Sequence, residues 1–295
     1  MPEGTIIKGI GGFYYVKTDS GIVECRARGK FRKSTDTPLV GDNVIIQLSE
    51  NDHTKGSIEK ILPRTIQLVR PAVANVNQLL VVFALHSPEP NLLLADKFLV
   101  AAESKGLDVV LCINKIDLDE DRNRFKELYN IYKIAGYKVI GTSCKTMEGI
   151  EELREALRNK ITAFAGPSGV GKSSLLNAID QRFSLQTGEI SKKIERGRHT
   201  TRHVELLELD GGGFVVDTPG FSTFELMDIS ASKLQYYFRE FEPYIPYCRF
   251  SSCSHTSEPG CAVIEALNNG AICTSRYENY IQFYNQLKNK KEWEK

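Results

Sequence analysis

Gly166-Pro167-Ser168-Gly169-Val170-Gly171-Lys172-Ser173 fills every fixed position of the pattern G-x-x-x-x-G-K-[ST]. A short apolar run, Thr162-Ala163-Phe164-Ala165, leads into it, and a helical pattern opens behind it at Ser174-Leu175-Leu176. Strand, glycine-rich turn and helix is the context in which this motif wraps a phosphate chain. Its glycines let the backbone close on the anion without a Cβ clash. The N–H groups at the helix start point at the anion, and the helix dipole adds to the attraction. Lys172 is placed to reach the β- and γ-phosphates, and the Ser173 hydroxyl to ligate Mg2+. The stretch therefore predicts a doubly wound α/β domain of the phosphate-loop kind.

Two further motifs say which nucleotide. Asn114-Lys115-Ile116-Asp117 follows the apolar run Asp108 to Ile113, at the carboxyl end of a predicted buried strand. Open α/β sheets bind ligands at that end. A carboxylate at Asp117 accepts from the ring N–H and exocyclic amine of guanine, a donor pair that adenine lacks on that edge. Lys115 can pack its stem over the base and tie back to the phosphate loop. One unit later the run Lys138 to Gly141 ends in Thr142-Ser143-Cys144-Lys145, similar to the S-A-K base loop of GTPases, with Cys144 in the small central place. The third motif, Asp217-Thr218-Pro219-Gly220, ends the run Gly213 to Val216. Asp217 is expected to bind Mg2+ through water, and the Gly220 N–H to contact the γ-phosphate. Between phosphate loop and D-x-x-G lies Arg196-Gly197-Arg198-His199-Thr200-Thr201-Arg202-His203. Thr201 is the expected switch hydroxyl on Mg2+, and His199 a candidate catalytic group beside it.

The order of these parts is unusual. An ordinary GTPase reads phosphate loop, D-x-x-G, N-K-x-D. Here N-K-x-D comes first, as in a chain that was cut and rejoined elsewhere.

The chain has 295 residues, room for two or three domains, and a net charge of +1, so no global field drives nucleic-acid binding. Two local basic clusters stand out: Arg26, Arg28, Lys30, Arg32 and Lys33, and Lys192 to Arg202. Either is a solvated face or a contact to a phosphate-rich partner. Seven cysteines, an odd number, with no signal-peptide pattern at the start and no membrane-length apolar run, argue for a cytoplasmic protein without a disulfide framework.

Three segments emerge. Residues 1–68 alternate in short apolar runs separated by turn residues, as in a small closed barrel of the OB type or an SH3-like barrel. Residues 69–226 alternate strands and helices. Residues 227–295 read as helical apart from one loop, in which Cys248, Cys253, His255 and Cys261 crowd among Ser, Pro and Gly. Four such ligands suit a closed, structural tetrahedral zinc site. The alternative is a set of reduced cysteines on an ordinary loop.

Together these residues closely resemble the RsgA family (also called YjeQ or YloQ) of circularly permuted GTPases of small-ribosomal-subunit biogenesis. The likeness includes Arg28-Gly29-Lys30-Phe31-Arg32-Lys33 and Val40-Gly41-Asp42, the phosphate loop, Gly197-Arg198-His199-Thr200-Thr201, Asp217-Thr218-Pro219-Gly220, and the Cys248, Cys253, His255, Cys261 cluster, which looks like the family's zinc site. The resemblance implies an N-terminal OB barrel, a central permuted GTPase domain and a C-terminal zinc-containing helical domain. It also implies GTP and GDP as ligands with Mg2+, one structural Zn2+, and binding to the 30S subunit and its 16S rRNA; the chain is expected to act as a monomer without a membrane partner. One position departs from GTPases at large: Phe221 stands where a Ras-like protein has a water-orienting glutamine, so another residue or the ribosome completes the site. Gly169 replaces an asparagine common in potassium-activated GTPases, and no potassium dependence is inferred. A competing reading is an RNA-binding module for which GTP only fixes a shape.

Overall fold

The computed structural model describes residues 1–29, 31, 37–69, 71–183, 204–217 and 229–289. His199, Thr201, Gly220, Phe221, the side chain of Asp217, and most of the two basic clusters lie outside these residues. The chain forms two compact units, residues 1–78, 157–164 and 180–221, and residues 79–156, 165–179 and 222–295.

The first unit starts with a barrel of five strands: β1 (Glu3–Ile10), β2 (Phe13–Thr18), β3 (Gly21–Ala27), β4 (Asn43–Leu48) and β5 (Lys55–Ile61). Successive side chains of a strand point to opposite faces, and the inward set is apolar: Ile6, Val16, Val23, Cys25, Val44, Ile46 and Ile58 are all buried. Pairing runs β1-β2-β3-β5-β4 and returns from β4 to β1, closing the ring, with β3 and β5 parallel. A closed Greek-key ring of five strands is the OB arrangement. Gly41 sits at φ +90, where a Cβ would lie 2.0 Å from the Ala74 carbonyl oxygen. Next to it the buried Asp42 accepts a two-pronged pair from Arg64, Nε to Oδ1 at 2.7 Å and Nη2 to Oδ2 at 2.8 Å. The Val40-Gly41-Asp42 motif is therefore a structural corner. A hairpin, β6 (Gln67–Val69) and β7 (Ala72–Ala74), follows; strands of three residues left too short a pattern to predict.

The same unit holds β11 (Ile161–Ala165), β12 (Glu205–Glu208) and β13 (Phe214–Asp217). β13 runs parallel to β11 and antiparallel to β12, and β12 pairs with β1 of the barrel at Lys8↔Glu205.

The second unit contains β8 (Gln78–Ala84), β9 (Asp108–Asn114) and β10 (Lys138–Thr142), side by side in the order β10-β9-β8. Around them lie α1 (Leu92–Glu103), α2 (Asn123–Ile134), α3 (Ile150–Leu157) and α4 (Lys172–Ile179). All seven residues of β8 are buried, as expected of a strand covered on both faces. Asn91 caps α1 by accepting from the Leu94 N–H. Gly106 and Gly136, at φ +66 and +82, end α1 and α2 as left-handed C′ residues.

Residues 229–289 belong to this unit. Their first part is 3-10 rather than α-helical, at 231–237, 239–241 and 245–247, and Pro243 and Pro246 keep 242–247 from running on as an α-helix. Two α-helices follow, α5 (Ala262–Asn268) and α6 (Thr274–Lys288). Their core, with Phe238, Phe241, Tyr280 and Phe283, includes Val100 of α1.

Beneath that core lies a buried ion network. Arg276 of α6 bonds Asp96 of α1 (Nη1–Oδ1, 2.7 Å) and Glu240 (Nε–Oε1, 2.7 Å; Nη2–Oε2, 3.0 Å). Asn279 donates to the other Asp96 oxygen at 2.7 Å. Burial disfavours the Arg276 charge, and the two carboxylates more than offset it, holding the guanidinium protonated. The Phe238 ring lies 4.7 Å from the guanidinium carbon.

Candidate nucleotide site and metal centre

The register of β9 and β10 aligns the two base motifs. Parallel pairing sets Asn114 beside Thr142, at the carboxyl ends of both strands. The Thr142 hydroxyl donates to Asn114 Oδ1 at 3.1 Å, and Asn114 Nδ2 donates to the Val170 carbonyl at 2.8 Å. One buried amide thus joins N-K-x-D to the phosphate loop. Lys115 makes a second tie: its Nζ reaches the Gly169 carbonyl at 2.9 Å and also bonds the Ser87 carbonyl. The sharp turn this requires puts Lys115 at φ +63. Ser143, fully buried, donates to Asp117 Oδ1 at 2.7 Å and accepts the N–H groups of Lys145 and Thr146.

The phosphate loop leaves β11 through Gly166 at φ +144, then Gly169 at +83 and Gly171 at +97. A Cβ on Gly166 would stand 2.1 Å from the Val82 carbonyl oxygen, and one on Gly171 would stand 2.4 Å from Asn114 Nδ2. These two glycines are dictated by close approach, the first to β8 and the second to the base motif. Lys172 opens α4 and donates to the Gly166 and Pro167 carbonyls, at 2.7 Å each. Burial lowers the pKa of its ammonium.

Asn114, Lys115, Asp117, Leu118, Cys144, Lys145, Gly171 and Ser174 line an open cleft of about 200 Å3. The structure thereby brings together the predicted Asn114, Lys115, Asp117, Cys144 and Lys145 with the phosphate loop. Ile116 is buried beneath the turn and faces the core. The Cys144 thiol pKa is raised by burial and by the Asp117 charge. Ser87 and the Val82 carbonyl escaped sequence reading, because they act through backbone atoms and leave no side-chain signature.

The second cluster lies in the C-terminal segment. The ligand atoms of Cys248, Cys253, His255 and Cys261 all lie within 4.8 Å of one another. Cys248 Sγ is 3.9 Å from Cys261 Sγ and 3.6 Å from His255 Nδ1, and His255 Nδ1 is 3.3 Å from Cys261 Sγ. Donors at ordinary zinc distances stand roughly 3.4–3.8 Å apart in a tetrahedron, so the set fits the ion. His255 Nε2 faces away and meets Gln235 Oε1 at 2.7 Å, the outer-shell partner that fixes the ligating tautomer. His255 itself sits at φ +57. Tyr277 and Tyr280 donate to the His255 and Ser254 carbonyls at 2.7 and 2.8 Å. Burial opposes the charge of Glu258, yet hydrogen bonds from Ser254 and Ser257 hold its carboxyl down at about 2, and its two oxygens staple the loop. Gln235 lies outside the predicted motif and carried no sequence signal. Cys25, Cys112, Cys144 and Cys273 lie outside the cluster. This Cys3His group suggests a zinc site.

A profile of the RsgA GTPase matches residues 61–227, and one of the RsgA N-terminal domain matches residues 3–58. The chain belongs to the RsgA GTPase family. The small ribosomal subunit biogenesis GTPase RsgA of Ruminiclostridium cellulolyticum is 52% identical over 98% of this chain and 94% of that protein. Its namesake from Caldanaerobacter subterraneus subsp. tengcongensis is 52% identical over 98% and 97%. Among solved structures, YjeQ from Thermotoga maritima superposes with a TM-score of 0.85 at 41% identity, over 98% of this chain and 99% of that one. YloQ, described as a circularly permuted GTPase, gives 0.84 at 38% identity over 99% and 96%. The RsgA family accounts for the motif order: this is a GTPase with a barrel in front, a permuted nucleotide-binding core and a Cys3His cluster behind. No helix among the described residues is long and apolar enough to cross a membrane.

Proposed function

We propose that this GTPase binds the 30S subunit and its 16S rRNA late in subunit maturation, and that GTP hydrolysis releases it. The full-length likeness to proteins named for small-subunit biogenesis carries this reading. In the cleft, Asp117 reads guanine, Lys115 covers the base, Ser143, Cys144 and Lys145 close its edge, and the amides of 166–174 hold the phosphates. Asn114 supports the reading, since one side chain bonds both the base loop and the phosphate loop.

Ser173, at the start of α4, and Asp217, at the end of β13, are the residues that would hold Mg2+ with Thr201. When bound, that ion neutralises charge building between the β- and γ-phosphates. The chain itself orients the phosphates with the loop amides and Lys172, and His199 is the proposed group beside the attacking water. Cys248, Cys253, His255 and Cys261 hold one structural zinc. Functional boundaries are proposed at 1–68, 69–226 and 227–295, in a protein acting as a monomer.

GTP turnover with and without purified 30S subunits tests the reading. Phe221 cannot orient water, so turnover is expected to be slow alone and at least tenfold faster on the subunit. Equal rates would remove the ribosomal role.

A further inference from the structure

β13 ends at Asp217. The β11–β13 register runs Ile161↔Phe214, Thr162↔Val215, Ala163↔Val216. In the described pairings Asp217 is matched by Glu205 of β12. Glu205 is matched in turn by Lys8 of β1, the register point that joins β12 to the barrel among the described residues. The side chains reinforce it: Lys8 Nζ lies 3.0 Å from Glu205 Oε1 and 2.8 Å from Oε2. At the other end of β12, Lys17 Nζ bonds Glu208 Oε2 at 2.8 Å. The row continues into the barrel, where Lys8 faces Tyr15 and Tyr15 faces Glu24. The Tyr15 hydroxyl donates to Glu24 Oε2 at 3.2 Å. β1 changes register between Ile6 and Lys8, and this irregularity falls where β12 docks. Bulges are concentrated next to active sites, where they re-aim a strand.

We propose that Lys8 and Glu205 are positioning residues for hydrolysis: the barrel sets the register of β12, and β12 sets the end of β13 that carries Asp217. A strand of four residues is easily slipped, and a one-residue slip turns every side chain to the opposite face. Opposite charges facing each other across the seam select one register, and like charges there oppose it. Lys8 and Glu205 are about one-third exposed, where an ion pair adds little stability, so its weight lies in register. The OB barrel is then a template for the catalytic strand as well as a separate surface. The inference rests on the assignment of Asp217 to the hydrolytic site made above.

The test uses the full-length protein with GDP bound, comparing Lys8→Glu, Glu205→Lys, the double exchange and Asp217→Asn. Amide hydrogen exchange over 205–217 and the kcat and KM for GTP are measured. Each single reversal is expected to speed exchange at Val216 and Asp217 about tenfold and to lower kcat severalfold, with KM within twofold. The double exchange restores both, which a general loss of folding would not do. Glu205→Gln, a milder change, moves both readouts in the same direction by less. Wild-type exchange and kcat in the single reversals, or no recovery in the double, overturns the proposal while Asp217→Asn still abolishes turnover. Full turnover in Asp217→Asn overturns the site assignment and the proposal with it.

Discussion

All four metal donors come from one run, residues 248–261, whereas the nucleotide cleft draws on residues 114–118, 144–145 and 171–174. The first cluster is local in sequence and has almost no regular structure to hold it: its loop hangs on Glu258, two tyrosine hydroxyls and Gln235. The second is assembled by sheet register and by one amide, Asn114, with its loops already fixed by left-handed glycines and backbone bonds. The difference teaches where each site stores its stability. A local cluster needs its ion to pay for ordering the loop. A distributed cleft inherits its order from the strands that carry it.

The largest expected effect breaks the local site. Structural zinc sites of this kind bind with apparent free energies of about 10–16 kcal/mol, which is folding free energy. Cys253→Ala is expected to lose the metal and unfold the 248–261 loop, while GDP affinity stays within about tenfold. Metal analysis and GDP titration check both halves. Thiols must shed protons to ligate. A chelator should therefore strip zinc faster as pH falls from 8 to 6, roughly the range in which ligands gain protons.

A smaller effect tests whether the metal segment and the strands of the cleft share one cooperative unit. Arg276→Met leaves Asp96 and Glu240 buried and unpaired, a change that costs about 3–5 kcal/mol. Denaturant unfolding should show that loss in a single transition seen both by nucleotide release and by metal release. Two separate transitions would mean that α1 and α6 do not unfold together.

Smaller again is Gln235→Ala. Removing the partner of a ligating histidine lowers metal affinity about 10–100-fold, and competition with a chelator of known affinity reads that shift. The fold should survive, because Gln235 touches the imidazole rather than the ion.

These contrasts explain what could be read from the chain alone. The phosphate loop and N-K-x-D were legible because backbone geometry demands glycine at 166 and 171 and hydrogen bonding demands Asn114. The metal set was legible because four ligands crowd a short run. The OB ring was legible only as five alternating strands; its closure through β1–β4 and parallel β3–β5 depends on contacts far apart in sequence. The Arg276 network was not legible, since Asp96, Glu240 and Arg276 sit in amphipathic stretches where a charge ordinarily faces water. Gln235 and the Lys8–Glu205 seam were hidden for the same reason. The helical character of 227–295 was legible at α5 and α6, whereas the 3-10 form of 231–237, 239–241 and 245–247 left no separate signal in the sequence.

The central claim is that the distributed cleft reads guanine through Asp117, held by Ser143 at 2.7 Å. Asp117→Asn exchanges an acceptor pair for a donor and an acceptor, which suits the xanthine edge. Equilibrium binding of GDP and xanthosine diphosphate to the wild-type protein and this variant is the direct measurement. Loss of charged hydrogen bonds of about 1.5–3 kcal/mol predicts GDP binding weakened about 10–100-fold and xanthosine diphosphate strengthened until it is preferred. A variant that binds GDP as tightly as the wild type, with no gain for the xanthine nucleotide, would contradict the account.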